Sequence, residues 1–140
     1  MRGEIPTTRG YAQTMAVLAD TSLRSDERTL LDRFLADLRA GLGDDLHAVW
    51  LFGSRARGEE PIGEDSDVDL LVLVRDASWE GKGRVHAVLA TAARDVGLEG
   101  LDWSFSVHVR TSEWLAGRRE IRSFFMAEVD RDKVVLYGSG

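Results

Sequence analysis

Two aspartates, Asp67 and Asp69, are spaced so that their carboxylates could act together. Side chains two positions apart on a β-strand point to the same face, with Cα atoms about 6.6–7 Å apart. Two carboxylates at that distance repel by about 2–3 kcal/mol at an effective dielectric constant near 20, so a pair near a core needs a compensating cation. Oxygen ligands in a chain without cysteine favour a hard ion, Mg²⁺ or Mn²⁺, over zinc. The spacing therefore predicts a divalent-metal site, and the alternative is a strand cap beside a solvent-facing aspartate.

A glycine and a serine, Gly53-Ser54, directly follow an apolar run that reads as a buried strand. Glycine lets the backbone approach a ligand closely, and the amides and hydroxyl that follow it can hold phosphate oxygens. A lone Gly-Ser is a weak signal. Together with Asp67 and Asp69, at the end of the neighbouring predicted strand, it predicts a site for phosphate and metal.

Helices and strands of an α/β chain must position these residues. Apolar residues recur every four positions in the first helix and alternate or run continuously in the strands. The predicted elements are a helix over 26–43 with Ser25 as N-cap, strands over 46–52 and 67–74, a turn over 55–58, a polar loop over 59–66, a helix over 79–96 capped by Ser78, a helix over 112–122 and a strand over 134–137.

A third strand is predicted over residues 101–109, where apolar and polar residues alternate strictly. One face would present Leu101, Trp103, Phe105, Val107 and Val109, and the other Asp102, Ser104, Ser106 and His108. Core packing is the expected role of the aromatic residues Trp50, Trp103, Phe105, Phe124 and Phe125, whereas Trp79 and Trp114 could line a surface.

The remaining polar candidates favour structural roles. Arg55 and Arg57 could contact phosphate, but arginines on a short turn more often pair with nearby carboxylates. His47 and His86 are expected at element edges, and His108 could reach a substrate from the face of Asp102. The three histidines are too scattered to predict a metal cluster.

Charge and length narrow the class of protein. The 140 residues suit one domain, and we expect residues 1–25 to form an arm or short helix before a domain over 26–140. The net charge of −6 comes entirely from residues 59–76, which disfavours nonspecific nucleic-acid binding. The absence of cysteine and of long apolar runs predicts a cytoplasmic protein that does not enter a membrane.

The sequence over 51–59, with Gly53-Ser54, and over 65–72, with Asp67-Val68-Asp69, resembles the minimal nucleotidyltransferases of the polymerase β superfamily. Relatives of that family include kanamycin nucleotidyltransferase. The resemblance spans about residues 28–138, although the twelve-residue spacer after Ser54 is longer than in many compact members. It implies an α/β (α+β) fold with a mixed sheet flanked by helices in one domain. It also implies transfer of a nucleoside monophosphate from an NTP, expected to be ATP, to a hydroxyl group.

The same resemblance assigns roles by position. Gly53 and Ser54 would hold the triphosphate, and Asp67 and Asp69 would bind Mg²⁺ or Mn²⁺. Asp102 would be the third carboxylate, shared between the metal and the attacking hydroxyl, and could take its proton. If a serine occupied that place instead, activity would be impaired.

Three functions remain open at the level of sequence. The first is an active transferase whose acceptor is a small molecule or a protein, with an acceptor site completed by the C-terminal part, by a second copy in a homodimer or by another chain. The second is an antitoxin-type module that pairs with a HEPN-like helical toxin, with or without AMP transfer. The third is a degenerate module that binds nucleotide without transferring it.

Overall fold

The computed structural model describes residues 18, 21–59, 67–121 and 123–140. The helices are α1 (Ser25–Leu42), α2 (Gly53–Ala56), α3 (Trp79–Asp95), α4 (Ser112–Glu120) and α5 (Phe124–Asp132). The strands are β1 (Leu46–Phe52), β2 (Val68–Val74), β3 (Phe105–Arg110) and β4 (Val134–Gly138). Short 3₁₀ turns over Gly43–Asp45 and Leu101–Ser104 precede β1 and β3.

The strands form a four-stranded mixed sheet in the order β3-β2-β1-β4. β1 runs antiparallel to β2 and β4, while β2 and β3 are parallel and are connected through α3, as a parallel pair requires. Phe52 at the end of β1 is therefore opposite Asp69, and Asp69 is opposite Ser106 near the start of β3. The end of β1 and the beginnings of β2 and β3 therefore lie together at one end of the sheet.

Helices cover both faces of this sheet. The apolar stripe of α1, including Leu30, Phe34 and Leu38, packs with α3 against one face, where Val49 and Leu70 are fully buried. On the other face, α4 and α5 contribute Leu115, Met126 and Val129 around Trp50, Phe52 and Leu71. The predicted α+β architecture, a mixed sheet flanked by helices in a single domain, is confirmed.

One of the two predicted helix caps is correct. The Ser78 hydroxyl accepts a hydrogen bond from the Gly81 amide at 3.3 Å and begins α3 as predicted. Ser25 is the first residue of α1 rather than its N-cap, so that prediction is wrong. Arg24 occupies the cap position, and its amide donates to Glu27 Oε1 at 2.8 Å. A carboxylate three residues into the helix can satisfy that amide, so a serine is not needed.

The third strand is shorter than the alternation predicts. It begins at Phe105, because Leu101–Ser104 form a 3₁₀ turn after Gly100, whose φ is 99°. The Ser104 hydroxyl donates to the Leu101 carbonyl oxygen at 2.8 Å and stabilises this turn. Trp103 is consequently 88% exposed, and its predicted place in the core is wrong.

The aromatic predictions divide in the same way. Trp50 and Phe105 are buried as expected. Phe124 and Phe125 are 80% and 46% exposed, because the buried side of α5 is formed by Met126 and Val129. Trp79 is 90% exposed, so it lies on the surface as the sequence allowed.

Most of the predicted arm and polar loop lie outside the described residues, which leave out 1–17, 19, 20, 60–66 and 122. Leu18 and Leu23 are described, and both are buried in the core on the α1 side of the sheet. No helix in the described part of the chain is long and apolar enough to cross a membrane.

Candidate active site

The turn after β1 lies directly against a carboxylate of β2. Gly53 has a φ of 78°, in the region that favours glycine, and it begins the one-turn helix α2. A β-carbon added to Gly53 would collide with Oδ2 of Asp69 and lie 3.3 Å from its Cγ. Glycine is therefore the residue that fits here, and it brings the Gly53-Ser54 backbone and the Asp69 carboxylate together.

Asp67 and Asp69 both lie at this end of the sheet. Asp67 is exposed just before β2, and Asp69 is half-buried within it. Burial raises the pKa of the Asp69 carboxyl, and the negative charge of Asp67 raises it further. The guanidinium groups of Arg55 and Arg57 act on that pKa in the opposite direction. The negative charge of Asp67 therefore acts on the Asp69 carboxyl.

A divalent cation fits this donor set. Two carboxylates whose charges repel, one of them half-buried, are stabilised by a bound cation, and carboxylate oxygens suit Mg²⁺ or Mn²⁺. The glycine leaves the space in front of Asp69 free of a side chain. Asp67 and Asp69 are therefore the residues that could hold such an ion.

Asp102 does not join them, contrary to the prediction. It lies in the 3₁₀ turn before β3, where its Oδ1 accepts a hydrogen bond from the Gly100 amide at 3.2 Å. Within the described ranges, no three histidine, cysteine, aspartate or glutamate side chains gather closely enough to hold a metal ion. The residue of β3 that pairs with Asp69 is Ser106, so a serine occupies the neighbouring strand position.

Arg55 and Arg57 form ion pairs, which confirms their predicted structural role. The Arg55 guanidinium is 1% exposed and contacts the buried carboxylate of Glu27 at 2.6 Å and 3.1 Å. Arg57 is exposed and pairs with Glu59 at 2.6 Å and with Asp132 at 3.4 Å. Both cations nevertheless remain close enough to influence Asp69.

An aromatic cluster flanks Asp69 on the same face of the sheet. The Phe52 ring lies 5.6 Å from the His108 ring and 5.8 Å from that of Phe125, which it meets edge to face. His108 Nε2 is 3.3 Å from the Ser106 hydroxyl, and burial lowers the pKa of this histidine, with a smaller effect from Arg110. His108 shares the face of Asp69 rather than a face with Asp102.

The other two histidines lie away from this end of the sheet. His47 Nδ1 is 3.1 Å from the Ser112 hydroxyl, at the end of the sheet where β1 begins. His86 is exposed on α3.

Comparison with known proteins identifies the family. A model of the nucleotidyltransferase domain matches residues 31–114, more than half of the chain, and this range includes Gly53, Asp67 and Asp69. The chain belongs to the nucleotidyltransferase domain family. The resemblance found in the sequence is thereby confirmed.

Two individual proteins are similar to this nucleotidyltransferase domain. The Methanocaldococcus jannaschii protein named "Putative protein adenylyltransferase" is 44% identical over 77 residues, which cover 53% of this chain and 48% of that protein. The chain therefore spans about half the length of this curated relative. A solved structure titled "Crystal structure of the toxin-antitoxin with AMP-PNP" has a TM-score of 0.48 and 20% identity, covering 77% of this chain and 73% of that chain.

Sequence reasoning missed two acidic residues near the candidate site of this nucleotidyltransferase domain. Glu27 is the buried partner of Arg55, and Asp132, at the end of α5, is a partner of Arg57. The position of Glu27 in the first turn of a helix was a signal for capping. Its pairing with a residue 28 positions away left no signal in the sequence, because it depends on tertiary packing.

Proposed function

We propose that this chain transfers a nucleoside monophosphate from an NTP, in particular AMP from ATP, to a hydroxyl group of a protein or small-molecule acceptor. The observation on which this rests is the contact of Gly53 with the Asp69 carboxylate, which brings the turn proposed to bind phosphate next to the carboxylates proposed to bind metal. Membership of the nucleotidyltransferase domain family supports the reaction class. The name of the Methanocaldococcus jannaschii relative supports ATP as donor and a protein as acceptor.

In this proposal each residue at this end of the sheet has one task. Gly53 and Ser54 hold the triphosphate, because the missing side chain at Gly53 lets phosphate oxygens approach the backbone. Asp67 and Asp69 hold Mg²⁺ or Mn²⁺, which when bound neutralises triphosphate charge and activates the acceptor hydroxyl. The acceptor oxygen bonds to the α-phosphorus, the bond from that phosphorus to the pyrophosphate oxygen breaks, pyrophosphate leaves, and the hydroxyl proton passes to solvent water.

The decisive experiment compares three isosteric variants of the full chain. Each is incubated with α-labelled ATP, Mg²⁺ and candidate protein or small-molecule acceptors, and label transfer is measured. Asp67→Asn and Asp69→Asn are each expected to lose at least about a hundred-fold in transfer rate, because they remove metal-binding charge. Asp102→Asn is the matched control and should keep its rate, since its carboxylate lies outside the pair. Undiminished transfer by Asp69→Asn would refute the proposal.

A protein partner is the second candidate, and exposed apolar side chains favour it. Ile121, Phe124 and Phe125, around the turn from α4 to α5, are 67%, 80% and 46% exposed. Contiguous apolar patches on soluble proteins commonly mark interaction sites. An antitoxin-type module could bind a HEPN-like helical protein here, with or without AMP transfer, and a homodimer could use the same residues.

Co-expression with the product of the neighbouring reading frame tests this candidate. A stoichiometric complex in size-exclusion chromatography that is weakened by Phe124→Ser would support partner binding, with Trp79→Ser as a control for loss of another exposed aromatic residue. A monomer that transfers nucleotide to a small hydroxyl compound would count against it. Binding of ATP in calorimetry without transfer to any acceptor would instead indicate a degenerate nucleotide-binding module.

A further inference from the structure

The turn that would receive the triphosphate is too short to hold its own conformation. The helix α2 comprises only Gly53–Ala56, and isolated helical turns are unstable because nucleation is costly. Its local hydrogen bonds run from the amides of Arg57, Gly58 and Glu59 to carbonyl oxygens of the turn, at 3.0–3.3 Å. Contacts from elsewhere in the chain must therefore stabilise it.

Arg55 provides those contacts through both its side chain and its main chain. Its Nη1 lies 2.6 Å from Glu27 Oε1 and its Nη2 lies 3.1 Å from Oε2, a two-armed ion pair that is almost completely buried. Nη1 also donates to the Ser22 carbonyl oxygen at 3.3 Å, and the Arg55 carbonyl oxygen accepts from the Ser22 amide at 3.1 Å. The central residue of the turn is thus attached to the segment that precedes α1.

Glu27 is itself held in place by the first turn of α1. Its Oε1 accepts a hydrogen bond from the Arg24 amide at 2.8 Å, and its side chain is fully buried. The helix that carries it is 18 residues long and contributes Leu30 and Leu31 to the core, each with no exposed surface. The carboxylate is therefore presented to Arg55 from a rigid support.

A role in stability alone does not explain this arrangement well. Desolvation of a buried ion pair offsets most of its electrostatic gain, so apolar residues of similar size often serve stability as well or better. The geometry does specify position, because a planar guanidinium bound at both arms allows little freedom. The turn is held on one side by this pair and touches Asp69 on the other, through Gly53.

We infer that Glu27 is a positioning residue, which acts through Arg55 to keep the Gly53-Ser54 turn in the conformation that receives the triphosphate. This inference rests on the proposed function. It adds a residue from α1 to the nucleotide site, 26 positions before Gly53 in the chain.

The test uses the double variant Glu27→Gln/Arg55→Met in the full chain. Glutamine keeps an acceptor for the Arg24 amide, and methionine fills much of the arginine volume, so both charges of the pair are removed with little change in packing. We expect at least about tenfold faster amide hydrogen exchange at Arg57, Gly58 and Glu59, with β1 amides unchanged, in protein without nucleotide or metal. We also expect the KM for ATP to rise at least about tenfold with a smaller change in kcat.

The matched control is Arg33→Gln/Asp37→Asn, which removes the partly exposed ion pairs of Arg33 with Asp37 and Asp95 and should change neither measurement. Unchanged exchange and KM in the first double variant would overturn the inference, as would a uniform loss of protection through the sheet. If it fails to fold, Arg55→Lys supports the same exchange measurement, because lysine keeps the charge and loses the two-armed contact. If the unmodified chain transfers no nucleotide, the proposed function fails, and exchange still decides whether Glu27 holds the turn.

Discussion

Position 53 requires glycine even when no ligand is bound. The sequence predicts glycine here for the close approach of a bound phosphate to the backbone. The structure adds a reason that does not depend on a ligand, since the Asp69 carboxylate of the neighbouring strand occupies the place of a β-carbon. The same contact brings the two predicted halves of the site together, so Gly53 serves both the fold and the candidate chemistry.

Gly53→Ala should therefore be more harmful than the loss of a left-handed glycine elsewhere. Gly97 is the matched control, because its φ is 75° and a β-carbon there would meet nothing within 4 Å. We expect Gly97→Ala to lower the free energy of unfolding by about 1 kcal/mol, from backbone strain alone. Gly53→Ala should lower it by at least about 2 kcal/mol and should also reduce nucleotidyl transfer at least about tenfold. Equal losses in urea titrations, with full transfer retained, would contradict this reasoning.

His108 makes the stability of the protein depend on pH. Burial beside Phe52 lowers its pKa in the folded state below the unfolded value of 6.5, with a smaller effect from Arg110. As the pH falls through 6.5, the unfolded chain takes up this proton first, so the free energy of unfolding decreases until the folded pKa is passed. Above pH 6.5 the contribution of neutral His108 to the free energy of unfolding is fully present.

We expect His108→Gln to lose less stability than the unmodified protein between pH 7.5 and pH 5.5, as measured by urea titration at each pH. His86→Gln is the control for the loss of a histidine, because His86 is exposed on α3 and away from the core. A His108→Gln protein with the same pH dependence as the unmodified chain would show that His108 does not contribute it.

At the level of elements, local signals located the helices and strands better than they located the ends. The helix α3 begins after Ser78 as predicted, whereas α1 uses the Glu27 carboxylate for its first free amide instead of Ser25. The alternation over 101–109 continues into the β3 strand only from Phe105. Four residues with the correct period form a 3₁₀ turn, because Gly100 adopts a positive φ and Ser104 bonds back to Leu101.

The two serines give a direct comparison of helix beginnings. Ser78→Ala should lower the free energy of unfolding by about 1 kcal/mol, because the Gly81 amide loses its acceptor. Ser25→Ala should change it by less than about 0.5 kcal/mol, since the Arg24 amide still bonds to Glu27. Thermal or urea denaturation of the two variants measures the difference, and a larger cost at Ser25 would contradict the assignment of the cap.

At the level of the whole molecule, the buried ion pair connects the first helix to the turn that follows β1. Glu27 and Arg55 are 28 positions apart and have no common element. Together with the contact between Gly53 and Asp69, the pair ties α1, the end of β1 and the start of β2 into one unit. The stability of the fold and the shape of the candidate site are consequently linked.

This linkage predicts strong non-additivity in the free energy of unfolding. Glu27→Gln or Arg55→Met alone should lower it by about 3 kcal/mol or more, because each removes one charge of the buried Glu27–Arg55 ion pair and keeps the other. The double variant should lose much less than the sum of the two. Urea titration of the four proteins in the cycle measures the coupling, and additive losses would mean that the charges are not buried against each other in solution.

The sequence by itself determined the order of the elements and the spacing of Asp67 and Asp69, and it indicated the family. The order of the elements follows from hydrophobic period, which acts over a few neighbouring residues. The family was indicated by the resemblance of the Gly53-Ser54 and Asp67-Val68-Asp69 motifs. The family and the mixed α+β fold are confirmed. The roles of the site residues in binding and transfer remain predictions.

Only the tertiary structure decided which residues meet. The strand register places Ser106, not Asp102, beside Asp69, and packing brings Glu27 to Arg55. It also leaves Phe124 exposed, although the residue type suggested the core. Register and burial depend on how distant segments pack together, and the local pattern of a sequence does not contain that information.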